Sequence, residues 1–189
     1  MHRSLSDLRT VLITGGTSGL GLELVKLYLD KGFEVVATGR NLSGKEADKP
    51  HLKLFATDFS DLKQTAGAIR KICDSFNFDI VINNAGVLSP PDLTLTSDGL
   101  EYSFQVNFLS HLLVNEIIIR SRADDRPLIS VAVTSPVYQV ARPDLSFTSS
   151  KKTYRPLKAY SESKLLLALM CKHFSELHTG SGMKFIAFN

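Results

Sequence analysis

Tyr160 and Lys164 stand four residues apart in the run Y-S-E-S-K, and in a helix that spacing puts a phenol and an ammonium on one face. A free tyrosine titrates near pH 10, too high for efficient proton exchange at neutrality, and an adjacent ammonium stabilises the phenolate. Such a pair reads as a general acid/base with its tuner. The face continues through Leu167 and Cys171, and an ammonium in so apolar a setting needs a partner, which a bound cofactor would supply. Ser135 closes the run V-A-V-T-S. At the carboxyl end of a strand in an open α/β sheet its hydroxyl can orient a substrate oxygen; the plain alternative is that it caps the following turn. Asn107 shares a helical face with Phe104, Phe108 and His111, and an amide in an apolar stripe must find partners. His111 reads as a neutral core residue rather than a ligand.

A second chemistry is written near the start of the chain. Thr14-Gly15-Gly16-Thr17-Ser18-Gly19-Leu20-Gly21 follows a buried apolar run and opens a helix, so its backbone N–H groups and the helix dipole can face a phosphate. Gly15 permits a tight turn, Gly19 lets the backbone approach a pyrophosphate, and Gly21 lets the helix pack on the strand. No Gly-Lys-Ser/Thr closes the segment, so it is not a Walker A loop, and its G-x-x-x-G-x-G spacing departs from G-x-G-x-x-G. About 20 residues further on, where a dinucleotide fold meets the adenosine ribose, the run F-E-V-V-A-T ends in Gly39-Arg40-Asn41. An acid there would bind the ribose 2′-OH and repel a 2′-phosphate, whereas Arg40 attracts that phosphate by roughly 1.5–3 kcal/mol. NADP is therefore expected over NAD.

These residues need a scaffold that gathers strand ends at one edge. Short β-branched runs alternate with helical periods, which predicts a single-domain α/β fold: a doubly wound parallel sheet, Rossmann-like, in three α/β/α layers. Strands are expected at 11–14, 33–38, 52–57, 79–83, 128–134 and 184–188. Helical stripes are expected at Leu20, Leu24, Leu27 and Tyr28, with Gly32 closing the helix; at Leu62, Ala66, Ile69 and Cys73; at Leu100, Phe104, Phe108 and Leu112; and from about Lys158 to Leu177. The irregular stretch from Ser135 to Tyr160 reads as a loop beside the active site.

Composition narrows the class. With 189 residues, 43% hydrophobic and 22% charged, the chain can build one sizeable core. A net charge of +3 with scattered Lys and Arg gives no footprint for nucleic acid. Two separated cysteines, Cys73 and Cys171, suit reduced thiols in the cytoplasm, and the first apolar run is too short for a signal segment or membrane anchor. Leu165, Leu166, Leu167, Leu169 and Met170 place apolar residues on more than one helix face, which points to a homodimer or to burial under further chain.

The T-G-x-x-x-G-x-G turn, the Asn83-Asn84-Ala85-Gly86 run and the Tyr160/Lys164 pair together resemble the short-chain dehydrogenase/reductase family over essentially the whole chain. The stretch from Thr96 to Leu113 and the long loop before Tyr160 resemble its retinol-dehydrogenase-like branch. The resemblance implies that the cofactor meets Gly15, Thr17, Ser18, Gly19, Leu20 and Gly21 of the turn. Asp58 would hold the adenine amino group and the Phe59 N–H its ring. Asn84 would brace neighbouring strands, while Ala85 and Gly86 leave room for the cofactor. Lys164 would also bond the nicotinamide ribose, and Asn107 would take part in a water-linked proton relay towards it. The implied activity is hydride transfer between NADP(H) and a small-molecule alcohol, aldehyde or ketone. Tyr160 would exchange the proton and Ser135 polarise the oxygen, with no metal. Relatives continue past the sixth strand with a carboxamide-holding turn, a substrate lid and a seventh strand, which this sequence does not include. A non-catalytic NADP-binding sensor or scaffold is the alternative, against which the intact Asn107, Ser135, Tyr160 and Lys164 set argues. A sugar-nucleotide epimerase would need a carboxyl-terminal substrate domain.

Overall fold

Runs such as Val11-Leu12-Ile13 and Val35-Val36-Ala37 carry apolar side chains on both faces, so they become strands only where both faces are covered. In the computed structural model, which describes residues 9–42, 50–122, 125–142 and 153–189, six such runs form one sheet. The strands are β1 (Thr10–Ile13), β2 (Glu34–Gly39), β3 (Leu52–Ala56), β4 (Ile80–Asn83), β5 (Leu128–Val133) and β6 (Met183–Phe188). All pairings are parallel, in the order β3-β2-β1-β4-β5-β6. The order reverses between β1 and β4, and a doubly wound sheet opens a ligand crevice at the carboxyl ends of such a pair.

The described residues also form five α-helical segments: α1 (Gly19–Asp30), α2 (Leu62–Cys73), α3 (Tyr102–Phe104), α4 (Ser110–Ser121) and α5 (Pro156–Leu177). A π-helical segment, Gln105–Leu109, joins α3 to α4. On one face Leu12, Val81 and Leu128 pack with Ile69 and Ile72 of α2 and Val114, Ile117 and Ile118 of α4. On the other, Val11, Ile13, Val35 and Ile82 pack with Val25 of α1. Leu167, Met170, Cys171 and Phe174 of α5 pack on Ala132 and Phe185, on the same face as Leu128 by the alternation of β5.

Three helical stripes differ from expectation in detail. In α1 the buried residues are Gly21 and Val25, whereas Leu20 and Leu27 are 55% and 47% exposed. The helix starts directly from the glycine turn, so its first inward position must be small. Gly32, at φ 76°, closes that helix with its N–H on the Leu29 carbonyl. In α2, capped by Asp61 accepting from the Gln64 N–H, the inward set is Thr65, Ile69 and Ile72. Beyond α3 the inward face carries Asn107, Ser110, His111 and Asn115 among Val106 and Val114, while Phe104, Phe108 and Leu112 are only half-buried. The wider π turn breaks the 3.6-residue spacing, so Phe108 and Leu112 of the expected stripe pack at its margin, against the α5 cluster.

Three buried polar groups between this face and the sheet satisfy one another. Asn83 Nδ2 donates to Ser130 Oγ at 3.0 Å, Asn115 Nδ2 to Asn83 Oδ1 at 2.9 Å, and Ser130 Oγ to Asn115 Oδ1 at 2.7 Å, locking β4, β5 and α4 together. Both cysteines are free thiols, Cys171 buried and Cys73 half-buried. Leu167 and Met170 are buried, Leu165 and Leu166 half-buried and Leu169 exposed. Among the described residues no helix is long and apolar enough to cross a membrane. Of the stretch before Tyr160, residues 136–140 form a short 3-10 turn and residues 143–152 lie outside the described ones.

Candidate active site

The turn after β1 is held from below by the turn after β4. Asn84 Nδ2 donates to the Thr14 carbonyl at 2.9 Å and the Gly15 carbonyl at 3.3 Å, while the Asn84 and Ala85 N–H groups both bond Thr14 Oγ1. Packing leaves no room for side chains in the joint. A Cβ on Gly15 would lie 2.9 Å from Ala85 Cα, and one on Gly21 would run into the Gly15 carbonyl oxygen and lie 2.6 Å from Asn84 Nδ2. Gly21 thus makes room for the turn itself and for Asn84. Gly19, at φ 52°, has nothing within 4 Å of a Cβ position and faces open space.

Above this joint lies a cleft of about 330 Å³ at the carboxyl edge of β1, β2, β3 and β4. It is lined by the turn from Thr17 to Gly21, then by Arg40, Asp58 and Phe59, and by Asn84, Ala85 and Gly86. Arg40 stands exposed at the end of β2, its Nη1 donating to the Tyr102 hydroxyl at 3.2 Å. Asp58 is fixed by Ser60, whose N–H and Oγ both donate to Oδ1, and the Phe59 carbonyl accepts from Ser110 Oγ and Gln105 Nε2.

The four reactive candidates lie past Gly86, outside that cleft's lining. A Cβ on Gly86 would sit 3.4 Å from both Lys164 Nζ and Asn107 Oδ1, so this glycine joins the two regions. Lys164 is buried, its Nζ donating to the Val133 carbonyl at 2.9 Å and lying 6.0 Å from the centre of the Tyr160 ring. Burial pulls its ammonium down to about 8. Asn107, in the π segment, accepts from the Val87 N–H at 2.8 Å and donates to the Val87 carbonyl and to Ser163 Oγ, both at 2.9 Å. Ser163 Oγ donates in turn to the Tyr160 carbonyl. Both amide hydrogens of Asn107 are thus committed to protein, so a relay through it has only oxygen lone pairs to use. Ser135 lies two residues past the end of β5, and its Oγ accepts from the Val137 N–H at 3.4 Å in the 3-10 turn. Capping and substrate contact are compatible, since a hydroxyl has a second lone pair and a proton to give.

A cleft floored by a glycine turn is thus joined through Gly86 to a buried Lys and its Tyr. A family model described as short chain dehydrogenase matches residues 9–179. The chain belongs to that family. The chain is similar to polyprenol dehydrogenase from Homo sapiens, 29% identical across 92% of this chain and 57% of that protein. It is similar too to retinol dehydrogenase 13 from Mus musculus, 27% identical across 93% of this chain and 55% of that one. It spans just over half the length of these curated relatives. Among solved structures, an uncharacterised protein from Mycobacterium paratuberculosis superimposes with a TM-score of 0.79 and 29% identity, over 96% of this chain and 69% of that one.

Several residues of this short-chain dehydrogenase site escape sequence reasoning. Thr38, Gly39, Thr57, Val87, Tyr102 and Val106 also line the cleft. Gly39 had a signal: it is a glycine inside an apolar strand run, and a Cβ added there would strike the Thr17 side chain. Tyr102 and Val87 had none, since only the strand order brings the segments after β4 over the end of β2. The Val133 carbonyl, which holds Lys164, carries no side-chain mark at all.

Proposed function

We propose that this protein transfers hydride between NADP(H) and an alcohol, aldehyde or ketone, with Tyr160 as general acid/base. The observation that carries the reading is Lys164. It is a buried ammonium one helical turn from Tyr160, at the Gly86 end of a glycine-floored cleft, and a neutral carbonyl is its bonded partner. Burying a charge in this way is costly unless a ligand completes its surroundings. The turn fits a dinucleotide, because Gly19, at φ 52° with nothing within 4 Å of a Cβ position, leaves its backbone open to a pyrophosphate.

Bound NADP(H) would supply the hydride donor or acceptor at its nicotinamide ring. In this reading the N–H groups of the turn, with Thr17, Ser18 and Leu20 beside them, hold the pyrophosphate. Arg40 holds the 2′-phosphate, Asp58 and Phe59 the adenine, and Asn84, Ala85 and Gly86 form the floor. Tyr160 gives or takes the proton at the substrate oxygen while Lys164 supplies the positive charge beside it. Ser135 directs a hydrogen bond to the same oxygen, and Asn107 fastens the Gly86–Val87 backbone to α5. Arg40, standing where an acid would select NAD, favours NADP by about tenfold or more. The free thiols suit a cytoplasmic setting.

NADPH oxidation against a panel of aldehydes and ketones tests this directly. Turnover is expected with at least one carbonyl, with NADPH used in preference to NADH. Tyr160→Phe is expected to lose turnover by about 10²-fold or more while retaining NADPH binding, followed by nucleotide fluorescence. Absence of NADPH binding, or undiminished turnover in the variant, overturns the assignment.

A further inference from the structure

Arg40 and Tyr102 meet across the mouth of the cleft from elements 62 residues apart. Both line it. Among the described residues Arg40 makes no ion pair, and its 3.2 Å hydrogen bond to the phenol oxygen is the contact that fixes the guanidinium. Tyr102 is the rigid side of the pair. Its N–H donates to the Thr94 carbonyl at 3.0 Å. The neighbouring Glu101, buried, caps the helix by accepting from the Ser103 and Phe104 N–H groups. The Tyr102 ring packs on the core cluster that contains Phe59 and Val106. The Glu101 carboxylate also accepts from Ser103 Oγ, so both its oxygens are engaged within the cap.

We infer that Tyr102 is a specificity-determining positioning residue, holding Arg40 at the cleft mouth in readiness for the 2′-phosphate of an adenosine nucleotide; this rests on the NADP reading above. An exposed arginine has many rotamers, and ordering it at the moment of binding weakens affinity. A phenol that orders it beforehand removes that penalty. A hydroxyl suits the task better than a carboxylate, because it accepts from the guanidinium without neutralising it, and the full charge remains for a phosphate dianion. Phenylalanine at 102 would keep the packing and lose only the positioning.

Calorimetric titration of the full chain with adenosine 2′,5′-bisphosphate and with 5′-AMP separates the two readings without any turnover. The wild-type protein is expected to prefer the bisphosphate by about tenfold. Tyr102→Phe should lose about fivefold in bisphosphate affinity and nothing for 5′-AMP, and Tyr102→Phe combined with Arg40→Ala should lose no more than Arg40→Ala alone. A wild-type protein indifferent to the 2′-phosphate sinks the NADP reading and this one with it. Full preference retained by Tyr102→Phe sinks the role of Tyr102 and leaves the cofactor reading standing. Additive losses in the double variant would show that Tyr102 acts independently of Arg40, which also overturns the inference.

Discussion

Lys164 shows how a reactive residue strains against the fold that carries it. Desolvation holds its ammonium at about 8 against 10.5 for a free lysine. Between those values the unfolded chain binds a proton that the folded one has released, so stability rises with pH through that window and the cost is fully present below about 8. Lys164→Met removes the titration. The stability difference between variant and wild type, from urea unfolding, should shift by about 2–3 kcal/mol in favour of wild type from pH 7 to 10. An unchanged difference would mean the ammonium is solvated. The glycines allow an equally local contrast. Gly21→Ala drives a methyl into the Gly15 carbonyl and should lower stability by about 1–3 kcal/mol or more. Gly67→Ala, in α2 with nothing within 4 Å of its Cβ, should raise it by about 0.5–1 kcal/mol.

The stretch from Tyr102 to Ser121 is where element structure was hardest to read. Strands were legible because β-branched runs bounded by turn residues have few other uses, and the glycine turn and the Tyr160/Lys164 pair were legible because each lies within a few consecutive residues. The π segment was not, because a shift from i+4 to i+5 bonding moves the inward face without changing which residues are apolar. It carries His111 inward, with Nε2 on the Ala85 carbonyl at 2.8 Å and Nδ1 buried with no partner among the described residues. A carbonyl only accepts, so Nε2 bears the hydrogen. Burial, offset in part by the Ala85 bond and reinforced by the Lys164 charge, lowers its titration to about 4. Below pH 6.5 the unfolded chain takes up a proton the folded one refuses, so stability is full above 6.5 and falls as pH drops towards 4. His111→Gln, which keeps a donor for Ala85, should flatten that acid limb by about 2–3 kcal/mol in urea unfolding at pH 4 and 7. A limb of unchanged slope would assign the acid sensitivity elsewhere.

In the molecule as a whole, the two faces of the sheet are covered unequally. Helices α2, α4 and α5 lie on one side, while α1 covers the β1–β2 end of the other. At the opposite end of that second face Ile129 is partly exposed, with Ile186 and Phe188 of the edge strand 44% and 61% exposed. Apolar edge strands promote association. Light scattering over a concentration series should show self-association of this 189-residue chain, reduced in Ile186→Lys combined with Phe188→Lys. Equal association in both would place the contact on another surface.

The order β3-β2-β1-β4-β5-β6 also has a bearing on how the chain emerges from a ribosome. Every strand pairs with one already synthesised: β2 with β1, β3 with β2, then β4 on the far side of β1, with β5 and β6 outward from there. No strand waits for a later neighbour, so the sheet can grow in step with translation. The segment bearing Tyr160 and Lys164 is made on the order of ten seconds after β1 at ordinary elongation rates, and it docks onto a platform of five strands already made.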